Sequence, residues 1–218
     1  GAVAYDQAFG YLSNYDESMP DNVDPKSEGG SYTVAEHKWD EAFGYFGARR
    51  DFLNPASVGD CIDLTSEHNF GWASYATKRD NDTENIAYRN GVMFKADIFN
   101  AFVAGRAIIH NEGTVDELAP HMATIRTRFE QLCAANVVHY VHSVLNAMGD
   151  LTDASDAMSS ESENYNKYWS EMRGFIISLQ YNVGEVSGGL TSAQLDDIVA
   201  AVGTAPKYPG HDGYATYA

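Results

Sequence analysis

Apolar residues return every three or four positions along most of this chain. After Thr114 they fall at Leu118, Met122, Ile125, Phe129 and Leu132, the 4-3-4-3 stripe of an amphipathic helix. A second stripe continues it through Cys133, Val137, Val141, Val144 and Met148. A helix that is apolar on more than one side is covered by neighbours, so this one is expected at the centre of the fold. Tyr165, Trp169, Met172, Ile176 and Leu179 mark one face of a helix over about 163–181. Phe94, Ile98, Phe99, Phe102, Val103 and Ile109 mark another over about 92–110. Residues 34–46, 5–12 and 193–202 read as further helices.

Three helix starts carry capping boxes, a Thr followed three residues later by Glu or Gln: Thr33 with Glu36, Thr114 with Glu117, and Thr191 with Gln194. In each, the hydroxyl can accept from the N3 amide while the N3 side chain reaches back to the cap amide. Pro120 falls in the first two turns of its helix, where a lost amide bond costs least. No alternating run and no Asn-Gly hairpin between β-branched segments argues for strands. The pattern predicts one all-α domain over 1–218, a bundle of about five or six helices, with a long irregular insertion at 52–90. Loops of that length are often functional or covered by a partner. After Gly203, Pro206 and Pro209 end helical structure, and the aromatic tail docks or stays loose. The segments Tyr5-Asp6-Gln7-Ala8-Phe9-Gly10-Tyr11-Leu12 and Trp39-Asp40-Glu41-Ala42-Phe43-Gly44-Tyr45-Phe46 echo each other. With no third copy this is no solenoid; two helices make the same packing contact, with Gly10 and Gly44 expected to admit a close neighbour.

Charge narrows the partners. The chain has 31 Asp and Glu against 14 Lys and Arg, a formal net charge of −17. Nucleic acid and anionic membrane surfaces both need clustered bases, so neither fits. Hydrophobic residues at 44% and charged residues at 21% describe a folded chain, not an acidic disordered tail. No apolar run approaches the ~18 residues of a transmembrane helix. The chain opens Gly-Ala-Val-Ala, without Met or a signal-like leader, as expected of a mature product or of part of a longer protein. Cys61 and Cys133 are either buried thiols or one disulfide; spacing leaves both open.

The most chemical stretch is Glu36-His37-Lys38-Trp39-Asp40-Glu41. His37, Asp40 and Glu41 share one side of a helix at i, i+3 and i, i+4, the way a helix builds half of a metal site. The alternative is a His–Glu hydrogen bond that fixes packing. On the central helix the stripe Ile125, Phe129, Leu132 continues as Asn136, His139, Ser143 and Asn146. This polar row either pairs with backbone and water or lines a site, and His139 and His142 can reach one ligand. The expected metal set is His37, Asp40, Glu41 and His139. His110 is expected to be solvated, His68 and His211 have no evident partner, and Arg126 and Arg128 are expected to be solvated or paired with acids. No nucleophile elbow, phosphate loop, dinucleotide fingerprint, His-Glu-x-x-His or EF-hand pattern occurs, so nothing compels an enzyme.

Several segments resemble a known family. The stretch from Ala35-Glu36-His37-Lys38-Trp39-Asp40-Glu41 through Ala42-Phe43-Gly44-Tyr45-Phe46-Gly47 resembles the signature of an imelysin-like bacterial family, domain of unknown function 4856. Phe99-Asn100-Ala101-Phe102-Val103-Ala104-Gly105-Arg106-Ala107-Ile108-Ile109 is similar to its next motif. The run Ile125-Arg126 through Cys133-Ala134-Ala135-Asn136-Val137-Val138-His139-Tyr140 is similar to the third. Arg173-Gly174-Phe175-Ile176, Leu179-Gln180-Tyr181-Asn182 and Leu195-Asp196-Asp197-Ile198 resemble the C-terminal part. The resemblance implies an imelysin-like helical bundle and a longer N-terminus. It also implies an exported protein or lipoprotein, periplasmic, outer-membrane-associated or extracellular. Imelysin relatives are linked to iron uptake and carry Gly-x-His-x-x-Glu; here Ala35 stands for the Gly, with Asp40 and Glu41 following His37. The resemblance thus implies a ligand- or metal-binding protein accessory to iron acquisition, with bound iron or another divalent metal. The alternative is an interaction subunit of a surface assembly, with envelope protein partners or self-association. A metal-dependent hydrolase is the third expectation; it lacks an obvious second acid–base group.

Overall fold

All three capping boxes form. The computed structural model describes residues 30–53, 70–81, 91–151, 161–183 and 186–214. Six α-helices lie among them: α1 (Val34–Phe46), α2 (Gly71–Asp80), α3 (Phe94–His110), α4 (Val115–Met148), α5 (Glu161–Ser178) and α6 (Ser192–Val202). A 3₁₀ turn, Leu179–Asn182, extends α5. No strand occurs among the described residues, and the protein is an all-α bundle. Thr33 Oγ1 accepts from the Glu36 amide at 3.2 Å while Glu36 accepts from the Thr33 amide at 2.8 Å. The same reciprocal pair opens α4 at Thr114 and α6 at Thr191.

The central helix is α4, as its double stripe predicts. Its 34 residues reach about 51 Å, with α3 and α5 packed along it. Helices α1 and α2 complete the layer over α3. The core between them is aromatic. Trp39, Phe46, Trp72, Phe102 and Phe129 are fully buried. Phe46 meets Phe102 at 6.0 Å and Phe129 at 5.5 Å, and Trp72 meets Phe129 at 5.9 Å, centroid to centroid.

Helix α2 corrects the expectation of an irregular 52–90 segment. Its buried positions are Trp72, Ala73, Ala76 and Arg79. That is a helical face, but two alanines and an arginine carry little hydrophobic signal. Asp80, the last residue of α2, then caps α3 from a distance: its carboxylate accepts from the Phe94 amide at 2.9 Å and the Lys95 amide at 2.8 Å. Anionic capping of an N-terminus satisfies orphan amides and complements the helix dipole. Met93, the residue at the cap itself, offers no such side chain.

Glycine roles also differ from expectation. Among the described residues a Cβ on Gly44 would meet nothing within 4 Å, so none of them approaches closely there. The close approach is at Gly105 on α3, where a Cβ would collide with the Trp39 ring. The helix 5–12, Gly10, Cys61 and His68 lie outside the described residues. Cys133 is a buried free thiol whose Sγ donates to the Phe175 carbonyl at 3.1 Å. Burial pushes this thiol far above its ordinary range, which leaves it unreactive.

The tail docks. Tyr165 Oη donates to the Lys207 carbonyl at 2.7 Å and accepts from the Lys207 amide at 3.2 Å. Tyr208 donates to Asn166, Tyr214 donates to the Met148 carbonyl at 3.2 Å, and His211 rests edge-on against Tyr208. Three phenols thus pin a segment that has no helix of its own. Tyr165→Phe removes two of these bonds and is expected to cost ~1–2 kcal/mol. It should lower the urea midpoint without changing the slope; an unchanged midpoint would mean that docking adds no stability.

A candidate binding groove between α1 and α3

On α3, Phe99, Phe102, Val103 and Arg106 fall at i, i+3, i+4 and i+7, and so share one face. On α1, Trp39, Asp40 and Phe43 turn toward them. The two faces enclose a groove of about 370 Å³, which Arg50 also lines from the turn after α1. Its floor is built by edge-to-face packing: Phe43 meets Phe99 at 5.9 Å and Phe102 at 5.5 Å. Trp39 is fixed by an indole N–H donated to the Phe102 carbonyl at 2.9 Å, and Gly105 leaves room for its ring. Val103 stays 53% exposed on the wall. A solvent-facing valine over an aromatic floor is apolar area that folding alone leaves uncovered.

One end of the groove is held by ions. Glu36, only 5% exposed, accepts from Arg106 Nη1 at 2.6 Å and lies 3.0 Å from His110 Nδ1. Arg106 Nε also donates to Asp40 at 2.9 Å. The capping glutamate of α1 is therefore also the anchor of α3. Burial pushes the Glu36 carboxyl up, but the Thr33 amide, His110 and Arg106 together outweigh it and hold the carboxyl below its ordinary value. The groove thus has an ion-paired polar end and an apolar floor of rings packed edge to face, the mix of apolar lining and few polar groups that ligand sites use.

The expected metal residues are placed as follows. His37 Nε2 lies 3.3 Å from Glu41 Oε1, and the Tyr32 ring stacks on the imidazole at 5.5 Å. Asp40 turns away to Arg106. His139 is on α4, half-buried, edge-on to Tyr140 at 5.0 Å. Among the described residues no group of three or more His, Cys, Asp and Glu side chains is placed to hold a metal ion, so these four do not converge on one. The polar row of α4 leaves the core after Asn136, which is buried and donates to the Leu132 carbonyl at 2.8 Å; His142 and Asn146 are exposed. His110 is solvated as expected, its side chain 74% exposed, and its ring also reaches Glu36. Arg128 pairs with Asp97 at 2.7 Å. Arg50, Val103 and Arg106 were not anticipated at a site. The available signal was Arg106 itself, an arginine in register with an apolar helix face.

A second recess lies between α4, α5 and α6. Val141, Leu145, Met148, Trp169, Met172 and Val202 are among its lining residues, all apolar. Elsewhere, burial pushes the Tyr140 phenol well above its usual range, and Glu171 and Tyr75 reinforce the shift. That cluster sits among α2, α4 and α5 and does not line the groove.

The family model described as Domain of unknown function (DUF4856) matches residues 10–204. The chain belongs to this family. Both helices of the groove lie inside the DUF4856 match, whereas the docked tail from 205 onward lies beyond it. No curated protein and no solved structure matches the chain. Among the described residues no helix is long and apolar enough to cross a membrane.

Proposed function

We propose that this DUF4856 chain is an exported bacterial envelope protein that binds a small apolar ligand in the α1–α3 groove, in support of nutrient uptake. What supports it is the groove's wall: Val103 is exposed beside buried aromatics and a guanidinium locked by two carboxylates. A volume of about 370 Å³ falls within the ~300–1,000 Å³ typical of ligand pockets. The acidic surface and the imelysin-like resemblance favour the envelope, and cell fractionation tests that placement. Iron or another divalent metal at His37 and Glu41 is the narrower form of the proposal. That pair supplies two donors, and neither residue lines the groove.

The test is to fill the groove. Val103→Trp changes an exposed position, so the fold is expected to hold. The neutral dye N-phenylnaphthylamine should bind the wild-type protein and bind the variant at least about tenfold more weakly, a loss of ~1.4 kcal/mol. Equal dye binding by both proteins, with equal melting temperatures, would place the dye elsewhere and reject the groove.

A further inference from the structure

We propose that the groove's ligand is a small aromatic or similarly flat monocarboxylate, with Arg50 as the residue that recognises its carboxylate. This rests on the groove being a binding site. The charges lining it divide into two kinds. Arg106 is committed: Nη1 is 2.6 Å from Glu36 and Nε is 2.9 Å from Asp40. Asp40 and Glu36 share that one guanidinium, so this end of the groove keeps a net negative charge. Arg50 is different. It is exposed, it lines the groove, and among the described residues it has no carboxylate or other partner. Its neighbour Arg49 has taken Asp51, at 3.0 Å. In a chain with 31 acids and 14 bases, a groove-lining guanidinium that meets no acid runs against composition.

The chemistry of the ligand follows from what surrounds that charge. A guanidinium binds planar oxyanions through a two-pronged fork. The exposed Val103 and the half-buried Phe43 suit an apolar body, and an aromatic one gains from ring contact. Asp40 lines the same groove and is more than half exposed. A second carboxylate elsewhere on the ligand would approach that charge, so a monocarboxylate is favoured over a dicarboxylate. The chain's −17 repels anions in general, so selectivity for an anion here must be short-range and local to Arg50.

A matched pair of probes separates charge from shape: naphthalene carboxylate and its uncharged amide, titrated by calorimetry against the full chain. Wild-type protein should bind the carboxylate about tenfold more tightly than the amide, the yield of a charge-assisted contact. Arg50→Gln should bring that preference to within about twofold of parity, Arg50→Lys should restore part of it as a point charge, and added salt should shrink it. Equal binding of both probes by the wild type, or a preference that survives Arg50→Gln, would overturn the role of Arg50 and leave the groove standing. Failure of both probes and of the neutral dye to bind would remove the groove as well.

Discussion

Gly105→Ala is expected to destabilise the protein by up to ~2 kcal/mol, although alanine is the better helix former. The two effects oppose each other. In the interior of α3, exchanging Gly for Ala favours the helix by ~1 kcal/mol. A Cβ at 105, however, would fall within the Trp39 ring. Overpacking of this kind costs ~1–3 kcal/mol and occasionally more. Trp39 has nowhere to retreat: it is fully buried, lies edge-on to Phe102 at 5.7 Å and is tied by its indole N–H to the Phe102 carbonyl. The clash therefore wins. The melting temperature should fall by up to about 8 °C for a domain of this size, and dye binding should weaken, because Trp39 lines the groove. Gly44→Ala and Gly174→Ala are the controls. Neither added methyl meets an atom within 4 Å, so each should gain ~0.5–1 kcal/mol. A Gly105→Ala protein as stable as these controls would show that α1 and α3 do not pack in this way.

Arg106→Gln should cost ~2 kcal/mol at neutral pH, and the deficit should shrink in acid. Breaking a fully buried ion pair costs ~3–5 kcal/mol; Arg106 is about one-third exposed, and solvent screening reduces the figure. The sign with pH follows from Glu36. In the native fold its carboxyl is held below the ordinary 4.5. Its stabilisation is thus fully present above the ordinary value and fades as pH falls through that value toward the lower folded one. Without Arg106 the burial of Glu36 is less well offset, and protonation relieves the unpaired charge. Wild type and variant should converge in urea melts taken through the acid range. Glu36→Gln should flatten the acid limb instead. A deficit independent of pH would mean that Arg106 acts by packing its stem and not through Glu36.

The helices legible from the chain were those whose faces are written in large apolar residues. Leu118, Met122, Ile125, Phe129 and Leu132 placed α4, and the three capping boxes placed the N-caps Thr33, Thr114 and Thr191. Helix α2 was hidden because Ala73, Ala76 and Arg79 occupy its buried positions. The site was less legible for a geometric reason. His37, Asp40 and Glu41 share a helix face, but side-chain direction within that face is decided by partners on α3. Arg106 draws Asp40 one way and Tyr32 stacks on His37 on the other. No local spacing on α1 contains that information. Gly44 and Gly105 show the same limit: both sit within helices, and only the tertiary neighbour reveals which one admits Trp39. The dual use of Glu36, cap of α1 and anchor of Arg106, was half visible. The capping motif named it, and its partner lies 70 residues away.

The central claim is that the α1–α3 groove holds a ligand, and the most direct test is a crystal structure with naphthalene carboxylate. The account predicts its ring density over Phe43 and Val103, with the carboxylate at Arg50. An empty groove under saturating ligand, or density only in the recess beside Trp169, would contradict it.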